Sequence, residues 1–149
     1  MTGPTTYGRT NRLVVRMLSS PAHRVLSRRI CALDYRGRRS GQRFRIPTQY
    51  VMADPATALI LVGRPETKSW WRNFTPPGHP VTISIRGAHR PGVATARLGT
   101  DEPEQVAEFL DCYLQRFPRA AKLLPADPAA RIARTCIVQV ALEPEGSTL

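Results

Sequence analysis

The stretch YRGRRSGQRFRIPTQY, residues 35–50, decides the fold. Phe44, Ile46, Thr48 and Tyr50 alternate with Arg43, Arg45, Pro47 and Gln49. A side-chain period of two is that of a half-buried strand, with one face inward and a basic face outward. The apolar residues from Ile30 to Tyr35 suit a preceding strand, and Arg36–Gly41 reads as the turn between them. Arg36, Arg38, Arg39, Arg43 and Arg45 crowd this hairpin. Like charges repel, so the cluster points to an anion that they share. Gly37 and Gly41 can adopt backbone angles closed to other residues, which would let amide N–H groups converge into a concave nest. Ser40 adds a hydroxyl donor, and Arg39, Arg43 and Arg45 supply forked, permanently charged donors that match a phosphate. The spacing is neither G-x-x-x-x-G-K-[ST] nor G-x-G-x-x-G, so no P-loop or dinucleotide fingerprint is present.

Working outward, Thr57–Val62 is a β-rich run that stops at Gly63. Val81, Ile83 and Ile85 alternate with Thr82, Ser84 and Arg86; Gly87 turns the chain, and Val93–Leu98 returns it. Cys136–Leu142 reads as a last strand. One long helix interrupts the strands: in TDEPEQVAEFLDCYLQRFP, residues 100–118, apolar Val106, Phe109, Leu110, Tyr113, Leu114 and Phe117 recur at helical spacing. Thr100 or Asp101 is placed to cap it, and Pro118 to end it. Near the N-terminus, Leu13, Val14, Met17 and Leu18 beside Arg12 and Arg16 form a short amphipathic pattern, and a second short helix would carry Val25 and Leu26. This segment, residues 1–29, either packs on the body or rests on a membrane surface. The expected architecture is mainly β within the α+β class: an antiparallel barrel with N-terminal and inserted helices, in one domain of residues 1–149.

Composition narrows the function classes. The 149 residues carry 22 basic and 11 acidic side chains, a formal charge of +11. Residues 1–100 hold +14 of it and residues 101–149 hold −3. The first two thirds would therefore draw a polyanion, an anionic lipid surface or a phosphorylated ligand. Cys31, Cys112 and Cys136 form no C-x-x-C pair, and His23, His79 and His89 lack ligand spacing, so no metal is expected. The cysteines read as buried small hydrophobes. No apolar run approaches the ~20 residues that span a bilayer, and the N-terminus lacks a signal-peptide pattern, so a cytoplasmic protein is expected.

A second constellation is GRPETKSWWRNF, residues 63–74. Trp70 and Asn73 would share a helix face, and a tryptophan beside a cationic surface can flank a flat heteroaromatic ring. Adjacent tryptophans also serve as core packing. Lys68 and Arg72, one turn apart, would reach a second anionic group.

Taken in order, an aromatic strand, G-R-x-S-G with further basic residues, a strand with Pro and Tyr, another strand and W-[WY]-x-N-[LF] resemble the deazaflavin-dependent nitroreductase-like proteins. These belong to the split β-barrel, FMN-binding-like flavin and deazaflavin oxidoreductase superfamily. The resemblance runs from about Leu33 to Leu98. It implies that Arg38, Arg39, Ser40 and Gly41 form the turn holding the coenzyme's phosphate, with Arg43 and Arg45 following on the strand and Pro47 lining the site. It implies that Trp70, Trp71 and Asn73 lie beside the ring. The implied coenzyme is an 8-hydroxy-5-deazaflavin (factor 420), with flavin mononucleotide (FMN) as the alternative, and the implied reaction is hydride transfer to an organic acceptor such as a quinone, an enone or a nitroaromatic. The implied assembly is a monomer or homodimer. Two departures bear on the ring pocket: Gly63-Arg64-Pro65 replaces a Gly-Gly-rich loop, and Ser69 stands where the family has a proline. No convergent His or carboxylate marks a protein acid or base, and Tyr113, within the apolar stripe, reads as core.

Two other classes remain open on the sequence. One is a non-catalytic protein on the same barrel that holds a cofactor or lipid-like ligand. The other is a basic nucleic-acid binder, for which no fold motif is present and Tyr35, Phe44 and Tyr50 are few stacking aromatics.

Overall fold

The computed structural model describes residues 29–144. The helical patterns expected at residues 13–26, and with them any membrane contact of that segment, lie outside the described residues. Seven strands build one antiparallel sheet: β1 (Ile30–Arg36), β2 (Arg43–Gln49), β3 (Val51–Asp54), β4 (Thr57–Leu61), β5 (His79–Ile85), β6 (Ala88–Leu98) and β7 (Cys136–Leu142). Their order is β2-β1-β5-β6-β7-β4-β3. The two edge strands are thus consecutive in the chain, joined through Tyr50 alone, so the sheet must curl until its edges meet. This is the split β-barrel of the α+β class that the sequence implied.

The hairpin at residues 35–50 forms as its alternation requires. β1 and β2 pair in one unbroken register from Ile30↔Gln49 to Arg36↔Arg43. Tyr35, Phe44 and Ile46 join the inner core with Leu33, Ile60, Phe74 and Val138. The Tyr50 N–H donates to the Arg29 carbonyl, and the Gln42 carbonyl accepts from Gly37. Even-numbered residues of β2 therefore turn their backbone toward β1, and the odd-numbered ones turn theirs outward. Pro47, which has no N–H, falls on that outward edge, where a ladder donor is not required. The β5–β6 connection is the two-residue loop Arg86-Gly87, both at positive φ (52° and 79°), as a tight hairpin demands.

The strand β3 is too short to have shown a period in the sequence. It pairs with β4 only as far as Val51↔Leu59, so β4 runs on past its neighbour. The long helix, α1 (Pro103–Arg116), buries Val106, Leu110 and Tyr113 against the outer face of the sheet. There Leu110 and Tyr113 meet Val51, Leu59 and Ile137 in a second core. The helix starts later than expected: Glu102 occupies the cap position without a side-chain bond, and Pro103 takes the first turn, where its missing N–H costs nothing. Neither Thr100 nor Asp101 caps it. After Pro118, a 3-10 helix (Pro118–Leu123) and a short α2 (Pro128–Ala133), capped by Asp127 at 2.9 Å from the Ala130 N–H, complete the chain back to β7. Among the described residues no helix is long and apolar enough to cross a membrane.

Burial pushes the Cys136 thiol up from its ordinary 9.0 to about 12, and the Tyr113 phenol from 10.0 to about 12. Both stay neutral in the folded protein while they ionise in the unfolded chain, so their contribution is complete below pH 9 and is lost as pH rises toward 12. Urea unfolding followed by circular dichroism should give a midpoint that falls steeply between about pH 9 and 12; a midpoint flat across that range would contradict the burial of these two groups.

Candidate functional site

The curl leaves one gap. β2 is hydrogen-bonded only to β1, and β4 beyond Leu59 only to β7. Between these two edges lies a cleft of about 160 Å³ lined by Ile46, Pro47 and Thr48 of β2, Leu61 at the end of β4, Val62 and Gly63 just after it, and Lys68 and Trp70. Val62 still donates to Cys136 across β7, at 3.0 Å. The cleft is a consequence of topology: consecutive edge strands diverge from Tyr50, and no strand fills the opening.

The basic turn sits at the far end of β2. Arg43 and Pro47 are four residues apart, which at a strand rise of about 3.3 Å makes roughly 13 Å. The turn is compact. Gly37 donates to Gln42 at 2.8 Å, Gly41 donates to Gly37 at 2.9 Å, and the Gln42 N–H donates to Ser40 Oγ at 3.2 Å. Gly41 holds φ +69°, and a Cβ on Gly37 would lie 2.8 Å from the Phe44 ring. The two glycines serve the fold of the turn. Their amides are spent inside it and do not form the nest expected from the sequence.

The tryptophan segment forms a 3-10 helix, Trp70–Phe74, and divides its two indoles. Trp71 is 9% exposed and donates its Nε1–H to the Pro65 carbonyl at 2.8 Å, so it belongs to the core. Trp70 is half-buried and faces the cleft. Asn73 is a bridge. Its Oδ1 accepts from the Arg38 backbone N–H at 2.8 Å, and its Nδ2 donates to the Trp70 carbonyl at 2.9 Å. The Arg38 guanidinium donates to Thr75 Oγ1 in the same contact. A run of rings lies beneath: Trp70 edge-on to Phe74 (6.0 Å), Phe74 edge-on to Tyr35 (5.0 Å), Tyr35 stacked on Phe44 (5.4 Å). The rings connect the cleft to the basic turn as one packed unit. Thr75 and this ring series escaped sequence reasoning, because partners some 35 residues away leave no local pattern.

The arginines are not equivalent. Arg45 Nε pairs with Asp34 at 2.5 Å across the β1–β2 register. The other ion pair among the described residues is Arg97–Glu102, remote from the turn. Arg36, Arg38, Arg39 and Arg43 are exposed and pair with no carboxylate among the described residues, and neither does Lys68 at the cleft. Tyr113, held near pKa 12 by burial, supplies no acid or base near neutral pH. No group of three or more His, Cys, Asp or Glu among the described residues is placed to hold a metal ion.

No protein-family model and no curated protein matches the chain. Solved structures match its fold. One, described as an F420-H2 dependent reductase (FDR-A), is 18% identical with a TM-score of 0.56, covering 76% of this chain and 94% of its own. Another, described as a domain-swapped dimer, is 15% identical with a TM-score of 0.57, covering 85% and 98%. HutZ, a heme storage protein from Vibrio cholerae, is 12% identical with a TM-score of 0.51, covering 84% and 90%. At these identities the likeness establishes the split-barrel fold alone, which these proteins put to different uses.

The bridge yields a direct test. Asn73→Ala removes one exposed and one part-buried hydrogen bond and should lower stability in urea by about 1–2 kcal/mol. Asn73→Asp, which keeps the acceptor for Arg38, should recover part of that loss. Two variants as stable as the parent would show that the bridge carries no weight.

Proposed function

We propose that the protein is a reductase that binds an anionic deazaflavin coenzyme, with its flat ring at the cleft and its charged tail along β2 and the basic turn. The observation that carries this reading is the pairing of a ring-sized opening, walled by Trp70, with uncompensated guanidinium groups on the same rigid unit. The residues fit the group. The cleft of about 160 Å³ is smaller than the ~300–1,000 Å³ that encloses a drug-sized ligand. It suits one flat end and leaves a long tail outside, where Arg38, Arg39, Ser40 and Arg43 lie.

When bound in its reduced form, such a coenzyme supplies the hydride that passes to the acceptor. The chain's part is to bind and orient. Guanidinium groups grip phosphate through charge-assisted bonds worth about 1.5–3 kcal/mol each. Trp70 and Pro47 fix the plane of the ring, and the Asn73 bridge holds that plane at a set distance from the charges. Binding energy from the tail thereby serves geometry at the ring. Asn73 and Trp71 act through position, since neither lines the cleft. The acceptor is an organic molecule such as a quinone, an enone or a nitroaromatic. The resemblance of the basic turn and tryptophan segment to deazaflavin-dependent enzymes, and the fold shared with one F420-H2 dependent reductase, support this reading over FMN.

Fluorescence titration with deazaflavin and FMN side by side tests it. Arg39→Ala with Arg43→Ala should weaken deazaflavin binding at least about tenfold, or 1.4 kcal/mol, with the circular dichroism unchanged. Arg45→Ala should cost clearly less, because Asp34 already occupies that charge. Oxidation of the reduced coenzyme by menadione should follow from the parent protein. Equal affinity of parent and double variant, or no oxidation with any of a panel of acceptors, would reject the proposal.

A further inference from the structure

Arg86 stands in a backbone conformation that a side chain disfavours. It opens the two-residue loop between β5 and β6 at φ 52°, where asparagine or glycine sits at lower cost. Strain kept at an exposed arginine points to a use for its charge. Two more exposed arginines meet it at this end of the barrel, where β2 passes into β3 through Tyr50. Continuing the β1–β5 register beyond Ala32↔Ser84 sets Arg86 opposite Ile30, which pairs on its other side with Gln49. Arg29 adjoins Ile30, and its carbonyl accepts the Tyr50 N–H at 3.1 Å. Arg116 comes from the last turn of α1, brought here by Tyr113, whose hydroxyl donates to Gln49 Oε1 at 3.5 Å. Its guanidinium lies 5.1 Å above the Phe117 ring. Burial raises the Tyr50 phenol above its ordinary pKa, Cys31 adds to the rise, and Arg86 and Arg116 both act against it, so both charges bear on that one ring. None of the three arginines pairs with a carboxylate among the described residues.

We propose that Arg29, Arg86 and Arg116 form a second anion site, for a doubly charged phosphate group on a small soluble molecule. Three separate segments bring like charges to one region, and each guanidinium offers forked donors that match phosphate oxygens. The site lies off the Tyr50 end of β2. Arg43 of the basic turn is seven residues away along the strand, roughly 23 Å, so one phosphate group cannot serve both places. An anion here ties the start of β1, the β5–β6 loop and the end of α1 to the residue from which the two edges of the cleft diverge. The site stands independently of the reductase reading, because none of its residues lines the cleft or belongs to the basic turn.

Calorimetric titration with inorganic pyrophosphate at near-physiological salt tests it, in the full chain carrying Arg39→Ala and Arg43→Ala so that the basic turn does not compete. Binding should saturate at about one equivalent. Adding Arg86→Asn, which suits the left-handed turn, or Arg116→Gln should weaken it at least about fivefold in each case. Arg86→Asn should also leave stability in urea no lower than before, since it relieves strain as it removes the charge. Arg134→Gln removes an exposed arginine beside the far end of β6, next to the Thr135–Gly99 hydrogen bond, and should leave affinity within about twofold. No saturable binding, unchanged affinity in Arg86→Asn or Arg116→Gln, or an equal loss from Arg134→Gln, the mark of diffuse attraction, would overturn the site. So would capture of the protein by phosphatidate vesicles without binding of pyrophosphate, which would assign the cluster to a lipid surface instead.

Discussion

One side-chain amide joins the basic turn to the wall of the cleft. Asn73 receives the Arg38 N–H on one side and donates to the Trp70 carbonyl on the other, so the basic turn and the cleft wall cannot move independently. The neutral amide suits this place. It supplies one donor and one acceptor without adding charge beside four arginines, whereas a carboxylate would satisfy Arg38 and leave the Trp70 carbonyl without its donor. The rings of Trp70, Phe74, Tyr35 and Phe44 fill the space beneath, and Phe44 in turn closes over Gly37. Packing and hydrogen bonding therefore reinforce one arrangement, which is the condition for a preorganised binding site.

The second constraint is topological. A sheet whose two edge strands are consecutive must either pair them or leave a split. Pro47 on the outward edge of β2 and the early end of β3 both favour the split. An unpaired edge is usually a hazard for edge-to-edge association. Here the basic residues along β2 and the helical insertions near the end of β4 guard it, and the same features give the opening its chemistry. The charge asymmetry of the chain has a matching cause: the basic two thirds contain β1, β2 and the cleft, and the acidic third supplies α1, whose role is packing.

Much of this was legible in the sequence. The strict alternation at Arg43–Tyr50 gave β2, its partner and the basic face, because a period of two admits one geometry. The apolar stripe from Val106 to Phe117 gave α1, and Tyr113 is buried as its position in the stripe required. Boundaries were less legible. Pro103 displaced the expected cap, and β3, four residues long, had no room to show a period. At the candidate site, residue types were legible and their roles were not. Trp70 and Trp71 look alike in sequence, yet a 3-10 turn sends one to the cleft and the other to the core. Gly37 and Gly41 serve the turn and not a nest of free amides, and Asp34 withdraws Arg45 from the pool of open charges. Each of these depends on a partner remote in sequence, where local pattern carries no information.

The central claim is that the basic turn and the split cleft are one site for one ligand. Amide and indole chemical shifts of the isotope-labelled protein, followed as deazaflavin coenzyme is added, test it most directly. The account predicts that Arg38–Arg45, Thr48, Leu61–Gly63, Lys68 and the Trp70 indole shift together along a single saturation curve. Shifts confined to one of the two regions, two curves with separate midpoints, or changes centred on α1 would contradict it.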